Sequence, residues 1–347
     1  ELHEYTKVHP MKDPANHTAC IRNRKASNGS VSITYRLNRA GTIMSFKRFR
    51  VTLAALLGVT LLQAVNADDK EALYQAKPVT AKNSFTGGIE GPACDTQGNV
   101  FAVNFAKQGT IGKVTPKGKA SLFIELPEGS VGNGIRFDQS GNMYIADYPQ
   151  HNVLRVDAKT GKLSVFAHND KMNQPNDLAI DAKGNLYASD PNWGESTGQL
   201  WRISNKGKVQ LLADDMGTTN GIEVSPDGKH LYVNESVQRN VWSFDIAKDG
   251  TLSNKKLLRQ FPDFGFDGMR CDVDGNLYIT RHGKGTVVIM TPKGKILEEI
   301  DVLGSKPSNI CFGGPDGKTC YVTEMEYGRL VSFRTARPGV SWKLNKQ

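Results

Sequence analysis

The sequence predicts an all-β fold, a six-bladed β-propeller of four-stranded antiparallel blades whose ring is closed by an N-terminal strand. Three observations carry this. One phrase recurs six times over residues 90–317: an Asp, Asn or Glu, a glycine eight residues later, then a strand containing an aromatic. The openers Glu90, Asn133, Asn176, Asn220, Asp267 and Asn309 lie 42–47 residues apart, and the glycines are Gly98, Gly141, Gly184, Gly228, Gly275 and Gly317. Within each unit the hydrophobic pattern offers four short strands, which is the period and content of propeller blades.

Taken in chain order, the first question is where the formal charge of +9 lies. Residues 1–67 hold ten Lys or Arg against three Asp or Glu, and the rest of the chain holds 34 against 32. A nearly neutral repeat region gives no electrostatic footprint for nucleic acid. Residues 44–67 read as a secretory signal, with Lys47, Arg48 and Arg50 as the positive start, residues 51–65 as the apolar stretch and Val65-Asn66-Ala67 as a small-residue cleavage site. The mature chain is then expected to begin at Asp68 and to work in the periplasm or as a secreted protein. The apolar stretch falls short of the ~20 residues of a membrane span, so no membrane association is expected after cleavage. Residues 1–43, polar and aperiodic, read as a non-native or upstream-extended segment, and residues 68–347 as a single propeller domain.

Ring closure needs one blade built from both chain ends. Repeat six has clear strands only to about Phe333, so a strand within residues 77–83 is expected to complete it. The second repeat shows how a blade is made: Ile135 and Phe137 alternate as a half-buried strand, Asp138 to Gly141 supply a turn, and Met143 to Ala146 return. Two residues past each opener stand Pro92, Ile135, Leu178, Ile222, Met269 and Cys311, and the returning strands bring Phe101, Tyr144, Tyr187, Tyr232, Tyr278 and Tyr321. These sets are expected to fill the spaces between blades. Glycine follows the opener at Gly91, Gly134, Gly221 and Gly268, where innermost strands crowd the axis.

Export would place the cysteines in an oxidising compartment. Cys311 and Cys320 flank the turn Gly314-Pro315-Asp316-Gly317 symmetrically, so a cross-strand disulfide between them is one expectation. Cys94 and Cys271 share an offset in repeats one and five, which do not touch in a ring of six, and are expected to stay reduced.

Rotation about one axis gathers the six oxygen-bearing openers into a circle. The ends of the second strands, Asn104, Asp147, Asp190, Glu235, Arg281 and Glu324, form a second polar circle on the same face, which makes that face the candidate site. The openers include two carboxylates, Glu90 and Asp267, and no His or Cys. Oxygen donors of this kind suit a divalent cation, Ca²⁺ first, with Zn²⁺, Mg²⁺ and Mn²⁺ as alternatives. Asn and Asp also favour strand entries by bonding their own backbone, but a Glu at the same offset is a poor turn former.

Several motifs then occur in order: Gly88-Ile-Glu-Gly-Pro-Ala-Cys-Asp, Gln174-Pro-Asn-Asp-Leu-Ala-Ile-Asp, Ser189-Asp-Pro-Asn-Trp-Gly, Thr219-Asn-Gly-Ile and Phe266-Asp-Gly-Met. Together they resemble the gluconolactonase, senescence marker protein and luciferin-regenerating enzyme family. The resemblance implies a propeller with one divalent ion near its axis that hydrolyses lactones. It implies Glu90, Asn220 and Asp267 as metal ligands, Asn176 as a ligand to metal or substrate, Asp267 also as general base, and Asp190 as a pocket residue. Cys94 departs from a common Trp, and Gln174 from an arginine that some sugar-lactone members use.

The reaction expected is ring opening of a small-molecule lactone by carboxylate-activated water, with Asn133 or Asn176 stabilising the oxyanion. Asn309, Arg281 and Trp193 complete the substrate-binding candidates. Trp193 sits in the longest connection between second and third strands, which could wall a pocket together with Phe264 and Tyr327. His151 and His282 follow second strands on the same face and read mainly as loop residues. The alternative is a non-catalytic secreted propeller that binds a peptide, glycan or protein on its polar face. Such a module has no need of Glu90 and Asp267 side by side.

Overall fold

The computed structural model describes residues 72–344. The segment 1–43, the signal 44–67 with its cleavage site, and Cys20 lie outside the described residues. Within them the chain folds into six four-stranded antiparallel sheets, five of which are meanders in chain order. The sixth joins Pro307–Gly313, Thr319–Glu324 and Arg329–Arg334 to Lys77–Pro78, which pairs at Lys77↔Ser332 and Pro78↔Val331. The strand expected within 77–83 is there, two residues long. Backbone bonds from Tyr74 N to Arg334 O and from Val79 N to Leu330 O extend its attachment.

Each blade begins on an innermost strand: Ala93–Cys94, Gly132–Phe137, Leu178–Ile180, Thr219–Val224, Met269–Cys271 and Pro307–Gly313. The turn that follows each is built on the repeat glycine, and all six adopt φ between 69° and 83°, where a Cβ is penalised. In four blades an aspartate locks this turn. Asp95, Asp138, Asp181 and Asp272 each accept backbone N–H groups two and four residues ahead, and the side-chain amides of Asn99, Asn142, Asn185 and Asn276.

The core lies between blades. Phe101 clusters with Ile135, Tyr144 with Leu178, Tyr187 with Ile222 and Tyr232 with Met269, in each case the aromatic of one blade with the innermost strand of the next. The seam between blades six and one is filled by Ile89, Cys94 and Val100 from one side and Cys311, Leu330 and half-buried Tyr321 from the other. Full burial of such a side chain stabilises by about 1.5–3 kcal/mol. These junctions therefore hold the ring together far more than the two-residue edge strand does.

The structure corrects two expectations. Cys311 is paired with Tyr321, and Phe312 with Cys320, so the two cysteines are one register apart and project from opposite faces of the sheet. All four described cysteines are free. The connection around Trp193 is a hairpin extension rather than a loop, with Asp190↔Gln199, Pro191↔Gly198 and Asn192↔Thr197 still paired. After blade six the chain crosses the turn face: Gly339 bridges to Asp272, and a helix, Val340–Leu344, brings Trp342 Nε1 to Gly314 O at 3.0 Å.

Candidate active site

The glycine after each opener is what lets the innermost strands converge. A Cβ on Gly91 would lie 1.9 Å from Asn133 O, one on Gly221 2.6 Å from Asp267 O, and one on Gly268 2.0 Å from the Asn309 side chain. Backbone bonds then pass from blade to blade, from Gly134 N to Asn176 O at 2.8 Å and from Gly221 N to Asp267 O at 3.0 Å. The openers are thereby packed against one another around the axis.

At their centre Glu90 and Asp267 meet as a carboxyl pair within hydrogen-bonding reach of each other, and Asn220 reaches Asp267 as well. The backbone N–H of Gly91 and the Asn309 amide, at 2.9 Å, donate to Glu90 Oε2. Burial, assisted by the charge of Asp177, pushes the Glu90 carboxyl up to about 7. Burial and then the neighbouring Glu90 hold Asp267 well above the usual carboxylate range. Two like charges this close share a proton unless a cation neutralises them.

Neighbouring side chains aim the others. Asn234 bridges Gly221 N and Asp267 O, fixing the backbone of the Asp267 opener. Ser236 accepts from Asn220 Nδ2 at 3.1 Å and donates to Phe266 O, which turns the Asn220 oxygen the other way. That oxygen, Asn220 Oδ1, is buried with no hydrogen-bond partner, and so are Asn133 Oδ1 and Asn176 Oδ1. A buried acceptor without a partner costs about 1–3 kcal/mol. Three of them at the same offset in consecutive repeats fit a ligand that supplies positive charge. Among the described residues no group of three or more His, Cys, Asp or Glu could hold a metal ion, so amide oxygens have to complete any such site. Two carboxyls with three amide oxygens is the donor chemistry of a hard divalent cation.

The second polar circle does something different from what its position suggests. Asp190, expected to line the pocket, is fully buried and accepts from Asn173 N, Gln174 N and Trp201 Nε1. Asp147 takes Ser130 Oγ, Val131 N and Asn152 Nδ2, and Glu235 takes Gly217 N and Asn240 Nδ2. Each acid ties down the segment that leads into its own blade's opener. Arg281, expected at the substrate, is 1% exposed; it pairs with Asp263 at 2.8 Å and stacks on Phe261 and Phe266. Asp190 is committed to structure by these three donors, and Arg281 by its acids and rings, with its Nε buried and without a partner. Asn309 serves Glu90. Trp193, 45% exposed at a hairpin tip, and Phe264 remain on the surface.

Sequence reasoning missed the charges beneath the openers. Asp177, fully buried, receives Arg270 Nη1 at 2.8 Å and Nη2 at 3.3 Å, and Arg136 Nη1 at 3.4 Å. Burial alone would raise Asp177, but the two guanidiniums outweigh it and lower the carboxyl. Burial also raises Glu223, which shares this layer electrostatically with both arginines. The signal was in the repeat: Asp177 stands where four units have glycine, and Arg136, Glu223 and Arg270 share the offset three past the opener.

A six-bladed propeller that gathers carboxyl and amide groups from its innermost strands at the axis is a propeller with an oxygen-donor centre. The profile of the SMP-30/Gluconolactonase/LRE-like region matches residues 90–326, and the chain belongs to that family. It is 29% identical over 135 residues to 6-deoxy-6-sulfogluconolactonase of Pseudomonas putida, covering 38% of this chain and 46% of that protein. It is 31% identical over 147 residues to gluconolactonase of Zymomonas mobilis, covering 39% and 40%. The chain thus spans less than half the length of these relatives. A solved regucalcin from Agrobacterium tumefaciens, described as a calcium-binding protein, superposes with a TM-score of 0.66 at 20% identity over 76% of this chain and 97% of that one.

Proposed function

We propose that this chain is a metal-dependent lactonase that opens sugar lactones of the gluconolactone type, acting in the periplasm or outside the cell. Glu90, Asn176, Asn220 and Asp267 would hold the cation, Ca²⁺ by preference. When bound, it supplies Lewis-acid polarisation of the ester carbonyl and the charge that keeps both carboxyls ionised. The chain's own groups do the rest. Asp267 accepts a proton from the attacking water as the new C–O bond forms, and returns it to the ring oxygen as the ester C–O bond breaks. The Asn133 and Asn176 amides hydrogen-bond the substrate and its tetrahedral oxyanion. Asn309 and the Gly91 N–H keep Glu90 turned toward the centre.

The observation that carries this reading is the set of three partnerless amide oxygens in consecutive repeats beside a buried carboxyl pair. A non-catalytic module would leave both costs uncompensated. The sulfogluconolactonase and gluconolactonase relatives support the substrate class. Elemental analysis of the purified protein followed by an aldonolactone panel is the test. Chelation and Asp267→Ala should each lower turnover by ~10²–10⁴-fold, the range a positioned base contributes; activity indifferent to both would end the proposal.

A further inference from the structure

The seam between blades six and one is the place where the ring is closed by contacts between the two ends of the repeat region. Ser308 Oγ donates to Ile89 O at 2.7 Å, and the Asn309 amide to Glu90 at 2.9 Å. Next along the same pair of strands, Cys311 Sγ stands 3.6 Å from Cys94 Sγ. Two cysteines from opposite ends of the repeat region are thus in sulfur contact, the last in a series of seam contacts that begins beside Glu90. Gly313 makes the approach possible, because a Cβ there would lie 2.3 Å from Cys94 Sγ. We propose that Cys94 and Cys311 are a redox site, a thiol pair that a hydroperoxide converts to a disulfide stapling the first blade to the last.

The surroundings suit this chemistry. Both cysteines line a cavity of about 20 Å³, together with Arg136, Arg270 and Ser341. A space of that size admits one water-sized molecule. It excludes a bulky disulfide reagent, so the oxidant has to be small. The neighbouring Cys311 and burial hold the Cys94 thiol well above its ordinary value. One sulfur of the pair attacks one peroxide oxygen, the O–O bond breaks, and with that thiol's proton passing to the leaving oxygen the products are a sulfenic acid and water. The other sulfur then displaces the sulfenic oxygen, forming the S–S bond and a second water with its own thiol proton. Two thiols lose two electrons, and one peroxide is reduced to two waters.

The other cysteines are excluded by position. Cys320 projects from the opposite face to Cys311, and Cys271 lies in blade five with its sulfur 3.6 Å from Val224 O. The test uses the full chain, which has five cysteines. Aliquots reduced with dithiothreitol or treated with stoichiometric hydrogen peroxide are denatured, alkylated, counted for thiols and digested for mass spectrometry. The oxidised protein should lose two thiols and yield one linked peptide joining Cys94 to Cys311. Its Tm should rise by ~5–10 °C and fall back on reduction, since the bond closes a loop of most of the domain. Cys320→Ala should retain the link, and Cys94→Ala should abolish it. A link mapped to Cys320 or Cys271, or thiols that stay intact until methionines oxidise, overturns the proposal. Mapping the wild-type chain decides the matter even if Cys94→Ala fails to fold.

Discussion

Glu90 makes the centre sensitive to pH. Its carboxyl is raised to about 7 by burial and by Asp177, whereas in the unfolded chain it titrates near 4.5. Between those values the folded protein holds a proton that the unfolded chain has released, so stability falls as pH rises. The contribution is fully present below about pH 4.5 and is lost on passing about pH 7. A divalent cation removes the reason for the proton. In chelator, thermal melts should therefore show Tm declining from pH 5 to pH 8, and saturating Ca²⁺ should flatten or reverse that slope. Glu90→Gln should reduce the slope in chelator, leaving the part that burial of Asp267 contributes. A chelated wild-type protein with the same Tm at both pH values would show that the pair does not share a proton.

At the level of the element, the weakest-looking piece is the strand Lys77–Pro78, exposed and two residues long. Its attachment goes beyond the ladder: Thr80 Oγ1 accepts from Leu330 N at 3.0 Å, and Phe85, 2% exposed, packs in the seam cluster with Ile89 and Leu330. Losing a buried Phe costs about 3–5 kcal/mol. Deleting residues 72–85 should lower Tm by ~10 °C or more in a circular-dichroism melt; unchanged melting would mean that three strands suffice for blade six. This closing strand was legible in the sequence because blade six ran short of strands. The opener-to-glycine spacing was legible for a similar reason, since a left-handed turn demands glycine at one fixed place. Side-chain direction was not. Arg281 ends its strand and Asp190 lies two residues before the end of its own, yet both turn back to the loops and acids beside them rather than toward the axis. The cysteine register failed because the hairpin holds one more residue than a symmetric turn, and a one-residue slip changes the face of every side chain. Contact between Cys94 and Cys311 depends on which blades are neighbours around the closed ring, which no local pattern states.

Across the whole molecule, two polar layers at the axis tie the blades to one another. The upper layer draws Glu90, Asn220 and Asp267 from blades one, four and five. Beneath it Arg136, Asp177, Glu223 and Arg270 come from blades two, three, four and five, two cations and two acids with no exposed member. Asp177 is the group on which this layer turns, because it is the acid that bonds both guanidiniums. Desolvation already lowers Arg136 to about 10, with the charge of Arg270 pushing the same way and Asp177 opposing. Removing the acid leaves two like charges facing each other in a site closed to water, and breaking a buried pair in that way costs about 3–5 kcal/mol. Asp177→Asn should lower the urea-derived unfolding free energy by that amount. Lys107→Ala, which removes a 2.8 Å ion pair with Glu125 that is more than half exposed, should change it by nearly nothing. If the two substitutions prove equal, the lower layer is not what joins the blades, and cohesion must come from the apolar junctions alone.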